Sequence, residues 1–150
     1  QACRDYLQAN PHVDFVVRGE GEQTLVELLE ALAQPDPGAA LPAVAGITYF
    51  SDARRTQLVR TADRPPLRQV DELPSPYLNG DFDHYGGQVI ASILETNRGC
   101  PFKCTFCDWG SATAQKIRSF DLERVKEALA RSARGAGAST TSGWDQSFSG

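Results

Sequence analysis

The chain has 150 residues, 41 % hydrophobic and 23 % charged, with a net charge of −4. This is the composition of a globular protein of one modest domain or two partial ones. No basic run offers a surface to nucleic acid, no apolar stretch approaches the roughly 20 residues of a membrane span, and no basic-then-apolar leader is visible. The expectation is therefore a cytoplasmic protein with neither nucleic acid nor membrane as a partner. Methionine is absent, and the first residues read as the end of a helix (Cys3 to Asn10), so the chain is expected to be a piece of a longer protein.

Val13 to Val17 reads as a short strand and Arg18 to Glu22 as a turn. Leu25, Leu28, Leu29 and Leu32 then recur at helical spacing, which predicts an amphipathic helix from Glu22 to Ala33. Strand, glycine turn and helix make one unit of an α/β layer. Gln34 to Gly38, with two prolines, ends the helix. Ile47 to Phe50 and Thr56 to Arg60, joined through Asp52 to Arg55, suggest a hairpin.

From Thr61 to about Gly87 periodicity is lost. Pro65, Pro66, Pro74 and Pro76 stand among charged residues, as in a long interdomain connection lying across a surface. Asp63, Arg64, Asp71 and Glu72 are expected to be a solvated face of it. Val89 to Leu94 is a near-continuous apolar run, the pattern of a strand buried on both faces. A helix is predicted from about Asp121, a suitable N-cap, with Leu122, Val125, Ala128 and Leu129 on one face. Beyond Arg134 the composition turns to Gly, Ala, Ser and Thr, and disorder is expected there.

Between that strand and that helix stand Cys100, Cys104 and Cys107, three of the four cysteines of the chain. A tight group in a reducing compartment argues for metal over disulfide. Thiolates are soft ligands suited to iron–sulfur clusters and to zinc. Three of them can hold three irons of a cubane and leave the fourth iron open to a substrate. Structural zinc favours paired knuckles and four ligands. Here one such pair exists, Cys104 and Cys107, and the remaining donors Cys3, His12 and His84 are remote in sequence. Cys3 reads as a helix cysteine with no metal role and His12 as a loop residue. Arg98 suits a carboxylate partner or the negative surroundings of a cluster, and equally a solvated strand end. Trp109 suits packing, over the cluster loop or elsewhere. The loop follows the C-terminal end of a strand, the edge where active sites of parallel α/β folds gather.

Gly19, Glu20, Gly21 and Glu22 lie between a strand and a helix. Free N–H groups at a helix start suit a phosphate or a polar cofactor tail. The same residues also read as a plain turn whose acidic side chains complement the helix dipole.

The spacing C-x3-C-x2-C, with an aromatic residue just before the last cysteine, resembles the signature of the radical S-adenosylmethionine superfamily. Glu95 to Gly99, and Asp108-Trp109-Gly110, further resemble members that carry an N-terminal cobalamin-binding domain. Val13 to Leu29 looks like the last strand and helix of such a domain. The resemblance covers about residues 10 to 130. It implies an α/β protein: the end of a Rossmann-like cobalamin-binding domain (residues 1–60), a linker (61–88), the beginning of a (β/α) radical barrel (89–134) and a tail (135–150).

The resemblance also implies roles. Cys100, Cys104 and Cys107 would ligate three irons of a [4Fe-4S] cluster, and S-adenosylmethionine would chelate the fourth. Phe106 matches the aromatic position beside the adenine, and Gly19 to Glu22 would lie near the nucleotide tail of cobalamin. Reductive cleavage would release methionine and a 5′-deoxyadenosyl radical, which abstracts hydrogen from an unactivated carbon of a small-molecule or peptide substrate. In cobalamin-dependent members a methyl group often follows. The electron would come from a flavodoxin- or ferredoxin-type donor. The loop that grips the cosubstrate's amino group in the family has no counterpart here, and His84 lacks the aspartate of a D-x-H-x-x-G cobalt-ligand motif. Two other classes remain open at this point: an iron–sulfur electron-transfer module and a zinc-stabilised structural domain.

Overall fold

The computed structural model describes residues 2–85, 92–102, 104–106 and 116–135. The chain divides into two compact units, Gln1–Leu67 and Arg68–Gly150.

The first unit opens with helix α1 (Ala2–Ala9) and strand β1 (Phe15–Val17), followed by helix α2 (Glu22–Leu32), a short helix α3 (Pro37–Ala40) and the hairpin β2 (Ile47–Phe50) and β3 (Leu58–Arg60). These are the elements that periodicity predicted, with α3 added where Asp36 accepts a hydrogen bond from the Ala39 amide (3.2 Å) and so caps it. The three strands form one sheet in the order β1-β2-β3, antiparallel throughout. Phe15 faces Tyr49 and Val17 faces Ile47 across the first pair, and Tyr49 faces Val59 across the second. Alternation along β2 sends Ile47 and Tyr49 to one face, where they meet Leu28, Ala31, Leu41 and Val44 in the core. The Phe15 and Tyr49 rings stand 5.5 Å apart, tilted, as cross-strand aromatic neighbours do.

Three arginines hold the edges of this unit. Arg18 donates from Nη1 to the Ile47 carbonyl and to Thr48 Oγ1, from Nη2 to the Thr61 carbonyl (2.6 Å), and from Nε to Asp63 (3.0 Å). Arg64 donates from Nε to Thr24 Oγ1 (2.9 Å) and pairs with Glu27. Arg55, at φ +55° in the hairpin loop, donates to the carbonyls of Leu7 in α1 and Val13 beyond it (2.6 and 3.1 Å) and lies over the Phe50 ring. Arg64 is therefore not part of the solvated linker face that composition suggested, whereas Asp63, although paired with Arg18 and Arg60, stays exposed as expected. The Arg64 side chain is 14 % exposed, because the Thr24 hydroxyl and the Glu27 carboxylate on α2 stand within its reach.

In the second unit, helix α4 (Pro76–Asn79) precedes a two-stranded antiparallel ribbon of β4 (Asn97–Arg98) and β5 (Arg118–Ser119), and helix α5 (Leu122–Gly135) ends the described chain. Asp121 caps α5 as predicted, accepting from the Arg124 amide at 3.0 Å. On the predicted apolar face of that helix, Ala128 is buried, whereas Leu122 and Leu129 are exposed.

One expectation is corrected. Of the strand predicted over Val89 to Leu94, residues 89–91 lie outside the described residues. Residues 92–94 have no strand pairing, and Ile93 is 90 % exposed. A strand buried on both faces needs neighbouring strands and a covering layer, and the described residues of this unit supply only a two-residue ribbon and helices. The small-residue tail, 135–150, falls outside the described residues except for Gly135, which ends α5. Among the described residues no helix is long and apolar enough to cross a membrane.

Candidate metal centre

The ribbon fixes where the cysteines begin. Asn97 pairs with Ser119 and Arg98 with Arg118, and the Phe120 amide donates to the Thr96 carbonyl at 3.1 Å. These bonds join residues twenty or more positions apart and close the neck of the segment that carries the thiols. Gly99 then turns the chain at φ +89°, a conformation that costs a side-chain-bearing residue about 1 kcal/mol or more. Cys100 follows, half-buried, and Cys104 is exposed; neither is in a disulfide. Cys107 and Trp109 lie outside the described residues. Phe106 is 89 % exposed, so its ring is open to a planar partner.

Arg98 has the carboxylate partner its sequence position suggested. Glu95 receives Nε at 3.0 and 3.1 Å and Nη2 at 2.9 Å, a two-pronged pairing that fixes the guanidinium plane.

Both ends of the cysteine segment are tied to residues 71–83. Upstream, the Tyr77 hydroxyl donates to the Ile93 carbonyl at 2.7 Å. Downstream, Asp71 accepts from the Asp121 amide at 3.0 Å, and Arg124 donates to the Asp71 carbonyl at 2.6 Å and to the Leu73 carbonyl. Farther along α5, Arg131 pairs with Asp83 at 2.6 Å over Gly80, where a Cβ would lie 2.8 Å from the Asp83 carboxylate. Asp71 is thus an anchor that remains exposed, as expected, and Glu72 is exposed as well. Sequence reasoning missed Asp71, Tyr77 and Gly80. The signal for Gly80 was its place after Ser75-Pro76, a capped helix start whose C-cap needs the left-handed conformation (φ +82°).

The donor set suits a soft metal. Cys100 and Cys104 are free thiols with a third cysteine immediately after Phe106 in the sequence, and among the described residues no group of three His, Cys, Asp or Glu side chains is assembled into a competing site. Such a set fits an iron–sulfur cluster or zinc and disfavours the hard cations that take carboxylates.

Gly19, Glu20, Gly21 and Glu22 belong to the first unit. Gly19 is left-handed at φ +77°. Glu20 accepts from the Leu67 amide at 2.8 Å. Gly21 caps α2 without a side-chain bond, and Glu22 is the acidic residue of its first turn. The turn therefore presents backbone amides at a helix start, and one of its two carboxylates also holds a later segment. Cys3 lies in α1 and His12 in the turn after it. His84 stacks beside Tyr85 with ring centroids 3.9 Å apart.

No family model matches the chain. Individual proteins do. The chain is 42 % identical over 137 residues to 2-(S-pantetheinyl)-carbapenam-3-carboxylate methyltransferase of Streptantibioticus cattleyicolor, covering 83 % of this chain and 18 % of that protein. It is 36 % identical over 132 residues to the cobalamin-dependent radical SAM methyltransferase TokK of Streptomyces tokunonensis, with the same coverage of each. It is 33 % identical over 106 residues to an anaerobic magnesium-protoporphyrin IX monomethyl ester cyclase of Synechocystis, covering 69 % of this chain and 20 % of that protein. The chain thus spans about a fifth of the length of these curated relatives.

Proposed function

The chain belongs to the radical S-adenosylmethionine superfamily, and from that premise we propose that Cys100, Cys104 and Cys107 hold a [4Fe-4S] cluster of an enzyme that transfers methyl groups with the help of cobalamin. The observation that carries this reading is the thiol segment itself. Two free cysteines, one exposed, leave a ribbon at a left-handed glycine, with an exposed aromatic ring two residues after the second. Likeness to two methyltransferases, one of them named as cobalamin-dependent, supports the choice of reaction.

Held by Cys100, Cys104 and Cys107, a reduced cluster would supply the single-electron chemistry that splits the sulfonium of S-adenosylmethionine into methionine and a carbon radical able to abstract hydrogen from an unactivated position. The residues of the chain prepare for this. Gly99 and the β4–β5 ribbon set the direction in which Cys100 enters. Phe106 offers a face on which an adenine stacks. In the first unit, the amides at the start of α2, reached through Gly19, Glu20, Gly21 and Glu22, receive the polar tail of cobalamin. The Rossmann-like arrangement of that first domain and the barrel arrangement of the second belong to this proposal. So do a cytoplasmic setting, a flavodoxin- or ferredoxin-type electron donor and a small-molecule or peptide substrate.

Iron uptake tests the assignment. After anaerobic reconstitution with iron and sulfide, replacing any one of Cys100, Cys104 or Cys107 by Ala is expected to abolish or cripple the cluster, since three ligands leave no spare. Cys3→Ala is expected to leave iron content unchanged. Stoichiometric zinc with no iron uptake would sink the proposal and favour a structural domain.

A further inference from the structure

The ribbon that closes the cysteine segment is short. It joins two residues of β4 to two of β5, with Arg98 and Arg118 twenty positions apart. A strand pair this small is at best marginally stable in water, and holding the ends of a long loop together costs chain entropy besides. Further bonds hold both flanks, and they come from one stretch of chain, residues 71–77. Upstream, the Tyr77 hydroxyl donates to the Ile93 carbonyl at 2.7 Å, seven residues before Cys100. Downstream, the Asp71 carboxylate accepts from the Asp121 amide at 3.0 and 3.1 Å, at the start of α5, where negative charge also suits the helix dipole. Arg124 Nη1 donates to the Asp71 carbonyl (2.6 Å) and carboxylate (3.3 Å), and its Nη2 donates to the Leu73 carbonyl. The Arg124 side chain is 19 % exposed, so these bonds are partly shielded from water. Tyr77 is itself fixed: it lies in α4, between the Ser75 cap and the left-handed Gly80, and its ring packs against Phe82 at 5.2 Å.

We propose that Asp71, Tyr77 and Arg124 are positioning residues that clasp the two flanks of the cysteine segment, so that residues 71–83 and the occupied thiols stabilise each other. This rests on the reading that the cysteines hold an iron–sulfur cluster. The clasp acts through the backbone at Ile93 and Asp121, where it limits how far the two flanks can part. A segment already held at both ends loses less freedom when its thiols close on one cluster, so the clasp favours retention of that cluster. The converse follows by linkage: whatever favours the bound cluster is favoured by it to the same degree. A cluster that ties three cysteines together restrains the segment between the flanks, and the bonds from residues 71–77 then open less often. Occupancy of the thiols is thereby felt in α4 and the turn before it, which hold no ligand of their own.

The experiment follows hydrogen exchange in the intact chain before and after anaerobic reconstitution with iron and sulfide, and then the loss of the cluster to an iron chelator. The Leu73 and Asn79 amides, bonded to the Val70 and Ser75 carbonyls, report on the clasp. Loading is expected to slow their exchange about fivefold in the wild type. In Tyr77→Phe, which keeps the ring and removes the hydroxyl, and in Asp71→Ala, the chelator is expected to take the cluster about fivefold faster, with the EPR spectrum unchanged because no thiol is altered. Asp71→Asn, which keeps an acceptor for the Asp121 amide, is expected to recover most of the retention. A merely structural role would leave exchange at Leu73 and Asn79 the same with and without the cluster. That result, or wild-type retention in both Tyr77→Phe and Asp71→Ala, overturns the clasp while the cysteine assignment survives. If Asp71→Ala loads no cluster, loading restored in Asp71→Asn upholds the clasp and loading absent there overturns it. Absence of a cluster in the wild-type protein overturns the cysteine assignment, and the clasp with it.

Discussion

The two units are held together by different forces. In the first, nine side chains are buried below a tenth of their surface, from Leu7 to Tyr49, and Ile47 is inaccessible. In the second, only Val70 and Ala128 are buried to that degree among the described residues, while Ile93, Phe102, Phe106, Leu122 and Leu129 are exposed. What orders the second unit is polar: the Asp121 cap, the Asp71 and Arg124 bonds, the Tyr77 hydroxyl and the Arg131–Asp83 pair. A unit with a closed apolar core has its structure before any ligand arrives. One organised by exposed polar ties around a thiol segment gains stability from whatever the thiols bind, because metal-binding free energy adds to folding free energy.

The comparison is broken most forcefully from the first unit. Ile47→Ala removes a fully buried side chain from the core cluster it shares with Leu28, Ala31, Leu41, Val44 and Tyr49 and is expected to cost about 2–5 kcal/mol. The measurement is hydrogen exchange of the β2 amides, and exchange within α5 is expected to be far less affected. A loss shared equally by α5 would mean that the two units fold as one.

A smaller effect probes the second unit. Asp121→Ala removes the side-chain acceptor for the Arg124 amide and is expected to cost about 1 kcal/mol. The readout is faster exchange in the first turn of α5, with β2 unchanged.

The smallest effect depends on pH. The Arg18 side-chain hydrogen bond, then the charges of Arg60 and Arg18, hold the Asp63 carboxyl below its ordinary value against a weaker opposing desolvation. The Asp52 carboxyl is likewise lowered, first by the Gln57 amide and then by the Thr56 hydroxyl and amide. A depressed carboxyl contributes stability above its unfolded pKa, and that contribution is lost as pH falls through the folded value. Stability of the first unit is therefore expected to decline on the acid side of the ordinary carboxylate range. Asp63→Asn is expected to flatten that decline in urea midpoints taken across acid pH. Both groups are exposed, so the effect is small.

The same contrast explains what could be read from sequence. Leu28 and the alternation of Ile47 and Tyr49 carry the 3.6 and 2.0 periods of a half-buried helix and strand, so the first unit's elements were legible nearly to their ends. Asp121 was legible because a cap acts locally. The roles of Arg18, Arg55 and Arg64 were not, since nothing in a single sequence shows that an acceptor more than twenty residues away stands within reach of a guanidinium. The end of the apolar run, residues 92–94, misled for the complementary reason. Burial on both faces requires partners that the run itself does not encode, and Ile93 is exposed. At the centre itself the spacing of the thiols was legible, whereas the ribbon, Gly99 at φ +89° and the Arg98–Arg118 register came only from the fold.

The central claim is that three cysteines leave one iron of a cubane open to S-adenosylmethionine. It is tested most directly by EPR of the reduced, reconstituted protein with and without that cosubstrate. The account predicts a cubane signal that shifts on addition of S-adenosylmethionine and is absent in Cys104→Ala. A cubane signal that S-adenosylmethionine leaves unmoved would contradict it and mark the centre as an electron-transfer site.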